Sequence, residues 1–245
     1  MRHRIEAGRD AYVVVVADAP DGRGDLWAVH AGGGEAVQLT FSLPAESGPR
    51  LSPHGDVVAF LRARNAADTV HRRVWLLNLL SGAERELVLP EEAGVPLAVA
   101  WGPEGRVLVI RTTAALWLVN APPAQPDPQR LVGADVVRAD SAFGVFVGSP
   151  PFARVVPCDG APGICSVDAS GQAAVISPEG REPVAWGPDS VAWLEGDEIV
   201  VRPAGPGRAR RAKLPARLDN VREGTAFLGR SAAEAADPEG LRPGG

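Results

Sequence analysis

The chain has 245 residues, 45% of them hydrophobic, with a formal net charge of −5 and a pI near 5.5. Mild acidity argues against a general nucleic-acid or anionic-membrane binder, which presents a strongly basic face, and two cysteines are too few for a disulfide-built scaffold. No apolar run approaches the roughly 18 residues needed to span a bilayer, and Met1 to Arg9 has no apolar signal region, so the expected location is the cytoplasm, or the periplasm if a leader has been removed.

In chain order, Tyr12-Val13-Val14-Val15-Val16 is a buried strand by length and β-branching. Asp18 to Asp25 reads as a turn whose three aspartates are spaced too widely for a calcium cage. Leu26-Trp27-Ala28-Val29 and Ala36-Val37-Gln38-Leu39-Thr40 finish a first unit, with Gly32-Gly33-Gly34 as a hairpin connection; a phosphate cradle would need a helix behind the glycines. The second unit runs from about Gly48 to Leu89. In it, Ser52-Pro53-His54-Gly55 specifies a type I turn: serine as acceptor, proline presetting φ, glycine in the fourth place. Val57-Val58-Ala59-Phe60, Val74-Trp75-Leu76-Leu77 and Arg85-Glu86-Leu87-Val88-Leu89 supply its later strands. A polar, partly basic insertion spans Arg62 to Arg73, and its Arg62, Arg64, His71, Arg72 and Arg73 are candidate binding residues, because binding tends to reside on loops held by a rigid scaffold.

The third unit takes in Leu97 to Gly133, and its Ala121 to Pro128 stretch holds four prolines, which discourage pairing at the rim. The fourth, about Asp135 to Glu179, is the most eroded. There Gly148 to Arg154, with Pro151, Phe152 and Arg154 as candidate contacts, and a loop flanked by Cys158 and Cys165 replace a tight connection. The two thiols are expected to be unpaired, bridging only in an oxidising compartment. The fifth unit, about Pro183 to Leu214, ends in a basic run in which Arg208, Arg210, Arg211 and Lys213 form a candidate patch. Such charge on an outermost strand also blocks edge-to-edge aggregation. Ala216 to Leu228 reads as a sixth strand–turn–strand; Thr225-Ala226-Phe227-Leu228 is expected to tuck against the first unit, the alternative being a projecting partial unit. One domain over 1–230 and a frayed tail over 231–245 follow.

These units repeat. The Ser52 turn returns at Gly102-Pro103-Glu104-Gly105, Ser141-Ala142-Phe143-Gly144 and Gly187-Pro188-Asp189-Ser190, at spacings of 50, 39 and 46. Val99-Ala100-Trp101-Gly102-Pro103 recurs identically at Val184-Ala185-Trp186-Gly187-Pro188. A third-strand signature stands at Leu26-Trp27, Val74-Trp75, Leu116-Trp117, Ile164-Cys165 and Ile199-Val200, at spacings of 48, 42, 48 and 35. Five copies of one strand imply five sheets. A period of roughly 40 to 50 residues with four strands per unit signals an all-β β-propeller, with five four-stranded blades favoured over six including a partial blade. Trp27, Trp75 and Trp117 should then be buried between neighbouring blades.

Gln38-Leu39-Thr40, Ser52-Pro53-His54-Gly55, Val57-Val58-Ala59-Phe60 and Val74-Trp75 to Gly82 together resemble the TolB-like or WD-repeat-like propeller repeats, with His54 where that pattern carries Asp. The resemblance spans residues 6 to 228 as a repeat pattern and implies a fold, hardly a function.

Catalytic signatures are sparse. There is no Gly-x-Ser-x-Gly elbow, and His3, His30, His54 and His71 are scattered turn or surface residues. Neither cysteine has zinc-type spacing to another ligand, so no metal and no cofactor are expected. The expectation is a non-catalytic propeller that acts as a protein-interaction platform or an accessory subunit of a larger assembly, with one or more proteins as partners and no nucleic acid. A small carbohydrate-active propeller enzyme, or a regulatory propeller separated from a peptidase domain, are the alternatives.

Overall fold

The computed structural model describes residues 11–18, 23–30, 36–68, 70–102, 105–120, 128–131, 145–147, 153–160, 162–168, 170–185, 190–203, 207–214 and 218–227. These form five four-stranded antiparallel sheets, with one short 3₁₀ turn at Glu91–Ala93. The first sheet pairs β20 (Asp219–Phe227), β1 (Tyr12–Asp18), β2 (Gly24–His30) and β3 (Ala36–Gln38), in that order. The second is β4 (Glu46–Leu51), β5 (Val57–Ala63), β6 (Arg72–Asn78) and β7 (Glu84–Leu87). The third is β8 (Pro96–Trp101), β9 (Val107–Thr112), β10 (Leu116–Asn120) and β11 (Gln129–Arg130). The fourth is β12 (Val145–Val147), β13 (Ala153–Pro157), β14 (Ile164–Val167) and β15 (Ala173–Ser177), and the fifth β16 (Arg181–Ala185), β17 (Ser190–Glu195), β18 (Glu198–Pro203) and β19 (Arg210–Lys213).

All five third-strand signatures occupy third strands: β2, β6, β10, β14 and β18. The Ser52 turn closes as expected, with the Gly55 N–H donating to the Ser52 carbonyl at 2.9 Å and Gly55 at φ 70°. The Gly105 N–H repeats this closing bond to the Gly102 carbonyl, again at 2.9 Å, with Gly105 at φ 66°. Such left-handed φ values favour glycine, and a Cβ at Gly105 would also press to 3.2 Å of Pro53 and His54 in the neighbouring turn. Asp56 accepts from the Ser52 hydroxyl at 2.8 Å, which adds a side-chain clasp to this turn.

Side-chain alternation explains how sheets stack. On β1, Val13, Val15 and Ala17 pack with Leu194, Ile199 and Leu214 of the fifth sheet and its exit, while Tyr12, Val14 and Val16 pack with Val58, Phe60 and Leu77 of the second. Both faces are buried, which is why this strand reads as an unbroken apolar run. Further cores join the second sheet to the third, through Leu61, Leu76, Ile110 and Trp117, and the fourth to the fifth, through Ile164, Val191 and Trp193. The described interfaces thus order the sheets third, second, first, fifth, fourth. Trp101, from the repeated Val-Ala-Trp-Gly-Pro motif, donates its indole N–H to the Arg50 carbonyl at 2.8 Å, linking the first strands of two sheets.

Four expectations need correction. Trp117 is buried at 4% exposure, but Trp27 and Trp75 are only half-buried. Their rings lie on sheet faces where polar side chains, such as Arg62 above Trp75, share the interface. The insertion from Arg62 to Arg73 shrinks to residues 64–71, because Arg62 and Ala63 extend β5 while Arg72 and Arg73 begin β6. The last segment is a single nine-residue strand with no turn at Gly224, which sits opposite Val15; Thr225, Ala226 and Phe227 pair with Val14, Val13 and Tyr12. Finally, Cys158 and Cys165 form a disulfide. The β13–β14 hairpin sets their Cα atoms 5.1 Å apart, inside the bridging range. The tail from 231 lies outside the described residues.

Candidate functional site

In a four-stranded meander, the turn between the second and third strands lies at the same end as the connection to the next sheet. The bonds at that end confirm the grouping. Arg23 donates to the Leu43 carbonyl at 3.1 Å, Ala63 N–H to Ala45 at 2.9 Å and Thr113 N–H to Val95 at 2.9 Å. This end carries the most elaborated loops, and it is where the candidate site lies.

Its foundation is a buried ion network between the first and second sheets. Arg62 donates through Nε and Nη2 to one oxygen of Glu46, at 2.9 and 2.7 Å, and through Nη2 to Glu84 at 2.6 Å. Its guanidinium lies 5.1 Å from the Phe60 ring centre and 4.4 Å from that of Trp75. Glu46 also accepts from the Thr40 hydroxyl, and Ser42 lies 2.9 Å away. Burial nonetheless outweighs these bonds and raises the Glu46 carboxyl above its ordinary range. Thr40 has a second task. Its hydroxyl oxygen accepts the Leu26 N–H at 2.9 Å, extending the β2–β3 ladder one step past the strand. The Leu-Thr pair is therefore a joint that ends one sheet and anchors the connection to the next.

On this foundation, residues 39–45 and 64–71 are held closely. Within the second loop, the Arg64 N–H donates to His71 at 2.8 Å, Asn65 accepts from the Ala67 and Asp68 N–H groups, and Asp68 accepts from the His71 N–H at 3.1 Å. The His71 backbone bond, ahead of its ring contact, lowers the Asp68 pKa. Such loops are pre-organised, and they present large apolar side chains to water: Phe41 is 77% exposed, Leu43 67% and Val70 72%, with Val88 at 73% on the next connection. Sequence reading missed all four. Phe41 and Val70 are flanked by polar residues and Val88 continues an apolar strand run, so only the topology that collects three connections at one end makes a surface of them.

The sequence-based candidates divide. Arg62 is a buried structural anchor, not a contact residue, because Glu46 and two aromatic rings take it into the interface. Arg64, His71, Arg72 and Arg73 are exposed at this end; Arg73 is ion-paired with Glu86 at 3.0 Å, and the His71 Nδ1 lies 2.9 Å from an Asp68 carboxylate oxygen. Arg154 lies in β13, paired with Phe146 and Val167, while Pro151 and Phe152 fall outside the described residues. In the basic run, Arg211 bridges Glu195 at 2.6 Å and Glu198 at 2.7 Å, and Lys213 lies 3.3 Å from Asp197, so half of the patch is neutralised within its own sheet. Arg208 and Arg210 are exposed. Glu195 further accepts from Ser177 at 2.6 Å and the Trp193 indole at 3.0 Å, and these bonds, Ser177 first, push its pKa down to about 2. Among the described histidines, His30 ends β2, His54 sits in the opposite-end turn and His71 in the 64–71 loop. Among the described residues no group of His, Cys, Asp and Glu is placed to hold a metal, and no helix is long and apolar enough to cross a membrane.

No protein-family model and no curated protein matches the chain. Solved structures similar to it include TolB. The TolB of Acinetobacter baumannii is 15% identical with a TM-score of 0.42, over 89% of this chain and 66% of that one. The putative TolB of Agrobacterium tumefaciens is 14% identical with a TM-score of 0.42, over 81% and 60%. A Bacteroides thetaiotaomicron protein of unknown function is 8% identical with a TM-score of 0.46, over 94% and 67%. The chain thus spans less than two thirds of the length of the two TolB proteins.

Proposed function

We propose that the chain is a five-bladed β-propeller that acts as a non-catalytic platform for a partner protein, docked on the end formed by residues 39–45, 64–71 and 88–95. The supporting observation is the set of exposed apolar side chains Phe41, Leu43, Val70 and Val88 on loops held by internal hydrogen bonds and by the Arg62–Glu46 anchor. Exposed apolar groups rimmed by charge mark interaction surfaces, and pre-ordered loops lower the entropic cost of binding. Arg64 and Arg72 supply part of that rim. The Cys158–Cys165 bridge favours an oxidising compartment, and so the periplasmic alternative.

The test is native complex size in extracts of the source cells, for the wild type and for Phe41→Glu and Val70→Glu. Both positions are exposed, so melting should shift by no more than about 0.5 kcal/mol equivalent, while the complex should shrink to the free chain. A wild type that runs as the free chain and hydrolyses glycosides would reverse the proposal in favour of the enzyme.

A further inference from the structure

Each sheet ends on an outer strand, and an outer strand offers a row of backbone donors and acceptors that proteins guard by shortness, charge or proline. β3 and β11 are only three and two residues long. β7 carries Glu84, Arg85 and Glu86, and β19 Arg210, Arg211 and Lys213, so either strand paired with its own copy would set like charges face to face. β15 differs. At five residues it is the longest outer strand among the described residues, and Ala173-Ala174-Val175-Ile176-Ser177 contains neither charge nor proline. Ala173, Ala174 and Val175 are exposed, Val175 at 60%.

The direction of its free backbone groups follows from the hairpin bonds. Cys158 N–H donates to Gly163 at 3.0 Å, so by antiparallel alternation Cys165 bonds towards β13 and Ser166 towards β15. Ser166 is paired with Ala174, and the Asp168 N–H donates to Gln172 at 3.0 Å. Gln172 and Ala174 therefore bond inward, and Ala173 and Val175 turn their N–H and C=O groups outward.

The geometry points to β15 as the place where two copies of this chain pair, antiparallel about a two-fold axis through Ala174. Ala173 then faces Val175 of the partner subunit, and Val175 faces the partner's Ala173, each pair exchanging both backbone hydrogen bonds. Ala174 meets its own copy as a non-hydrogen-bonded pair, where Cα atoms approach to about 4.5 Å and a small side chain suits. No charged side chain opposes another within the strand. A pairing of this length buries well under the roughly 1,200 Å² of tight complexes, so the dimer is a weak, rapidly exchanging one.

Sedimentation over a concentration series tests this. The wild type should dimerise reversibly. Ala174→Lys and Ala174→Glu should each sediment as monomers with unchanged circular dichroism, and an equimolar mixture should recover a dimer, because the two-fold sets lysine against glutamate. Val175→Pro removes an outward N–H without touching the β14 ladder and should also be monomeric. A wild type that stays monomeric up to its solubility limit overturns the assignment. So does a dimer undiminished in the Lys variant, or a mixture that does not recover it.

Discussion

Arg62 shows how far a single side chain can depart from its apparent setting. Arginine next to Ala-Arg-Asn reads as the start of a polar loop, and nothing nearby in sequence suggests otherwise; its partner Glu46 lies sixteen residues earlier, on another strand. Truncating it leaves a buried carboxylate without its counter-charge. Arg62→Ala is expected to cost about 3–5 kcal/mol, measured by urea denaturation, and adding Glu46→Gln should recover a substantial part, because the uncompensated charge is then gone. The sign of the pH effect follows from burial. A carboxyl whose folded pKa is raised above 4.5 favours the folded state at low pH and loses that contribution as pH rises, so the Arg62→Ala deficit should shrink on acidification. Glu195 behaves oppositely. With a folded pKa of about 2 against an ordinary 4.5, it contributes stability above 4.5 that disappears as pH falls towards 2. Melting temperatures through that window should fall more steeply for the wild type than for Glu195→Gln, and equal slopes would show that the Ser177 and Arg211 bonds hold nothing in solution.

At the scale of elements, the turns and third strands were legible because each rests on local chemistry repeated at a fixed period. The Ser52 and Gly102 turns share the same closing backbone bond onto a glycine at positive φ, and the five third strands needed only their apolar runs. The disulfide was not legible. Two cysteines seven residues apart look alike whether a hairpin or an irregular loop separates them, and only the Val156–Cys165 register decides. The bridge closes the loop that also holds Gly163, where an added Cβ would strike the Ser177 carbonyl at 2.3 Å. Cys158→Ser with Cys165→Ser should therefore cost about 2–3 kcal/mol by loop-closure entropy; a reducing agent should lower the wild-type melting temperature and leave the double variant unaffected. The exposed apolar set was hidden for a related reason. Phe41 and Val70 are far apart in sequence, and one strand ladder brings their loops to a common end.

For the whole molecule, the first sheet is the hinge of the arrangement. It packs against the second sheet through one face of β1 and the fifth through the other, and its first strand, β20, comes from more than two hundred residues later. Removing residues 218–245 should expose the full length of β1 and strip Leu218 and Val221 contacts from the fifth-sheet core. Calorimetry should show one cooperative transition, shifted far down or lost; a truncated chain that melts like the wild type would mean that β20 adds nothing to the core. The same pairing has a consequence during synthesis. The second to fifth sheets are each built from neighbouring segments and are complete as soon as their last strand leaves the ribosome, whereas β1, among the earliest strands made, must wait for residues 219 to 227. Until then its Val-rich edge is open in the nascent chain, so completion of the first sheet is limited by a contact of very long sequence separation, and that edge is the stretch most exposed to mispairing in the meantime.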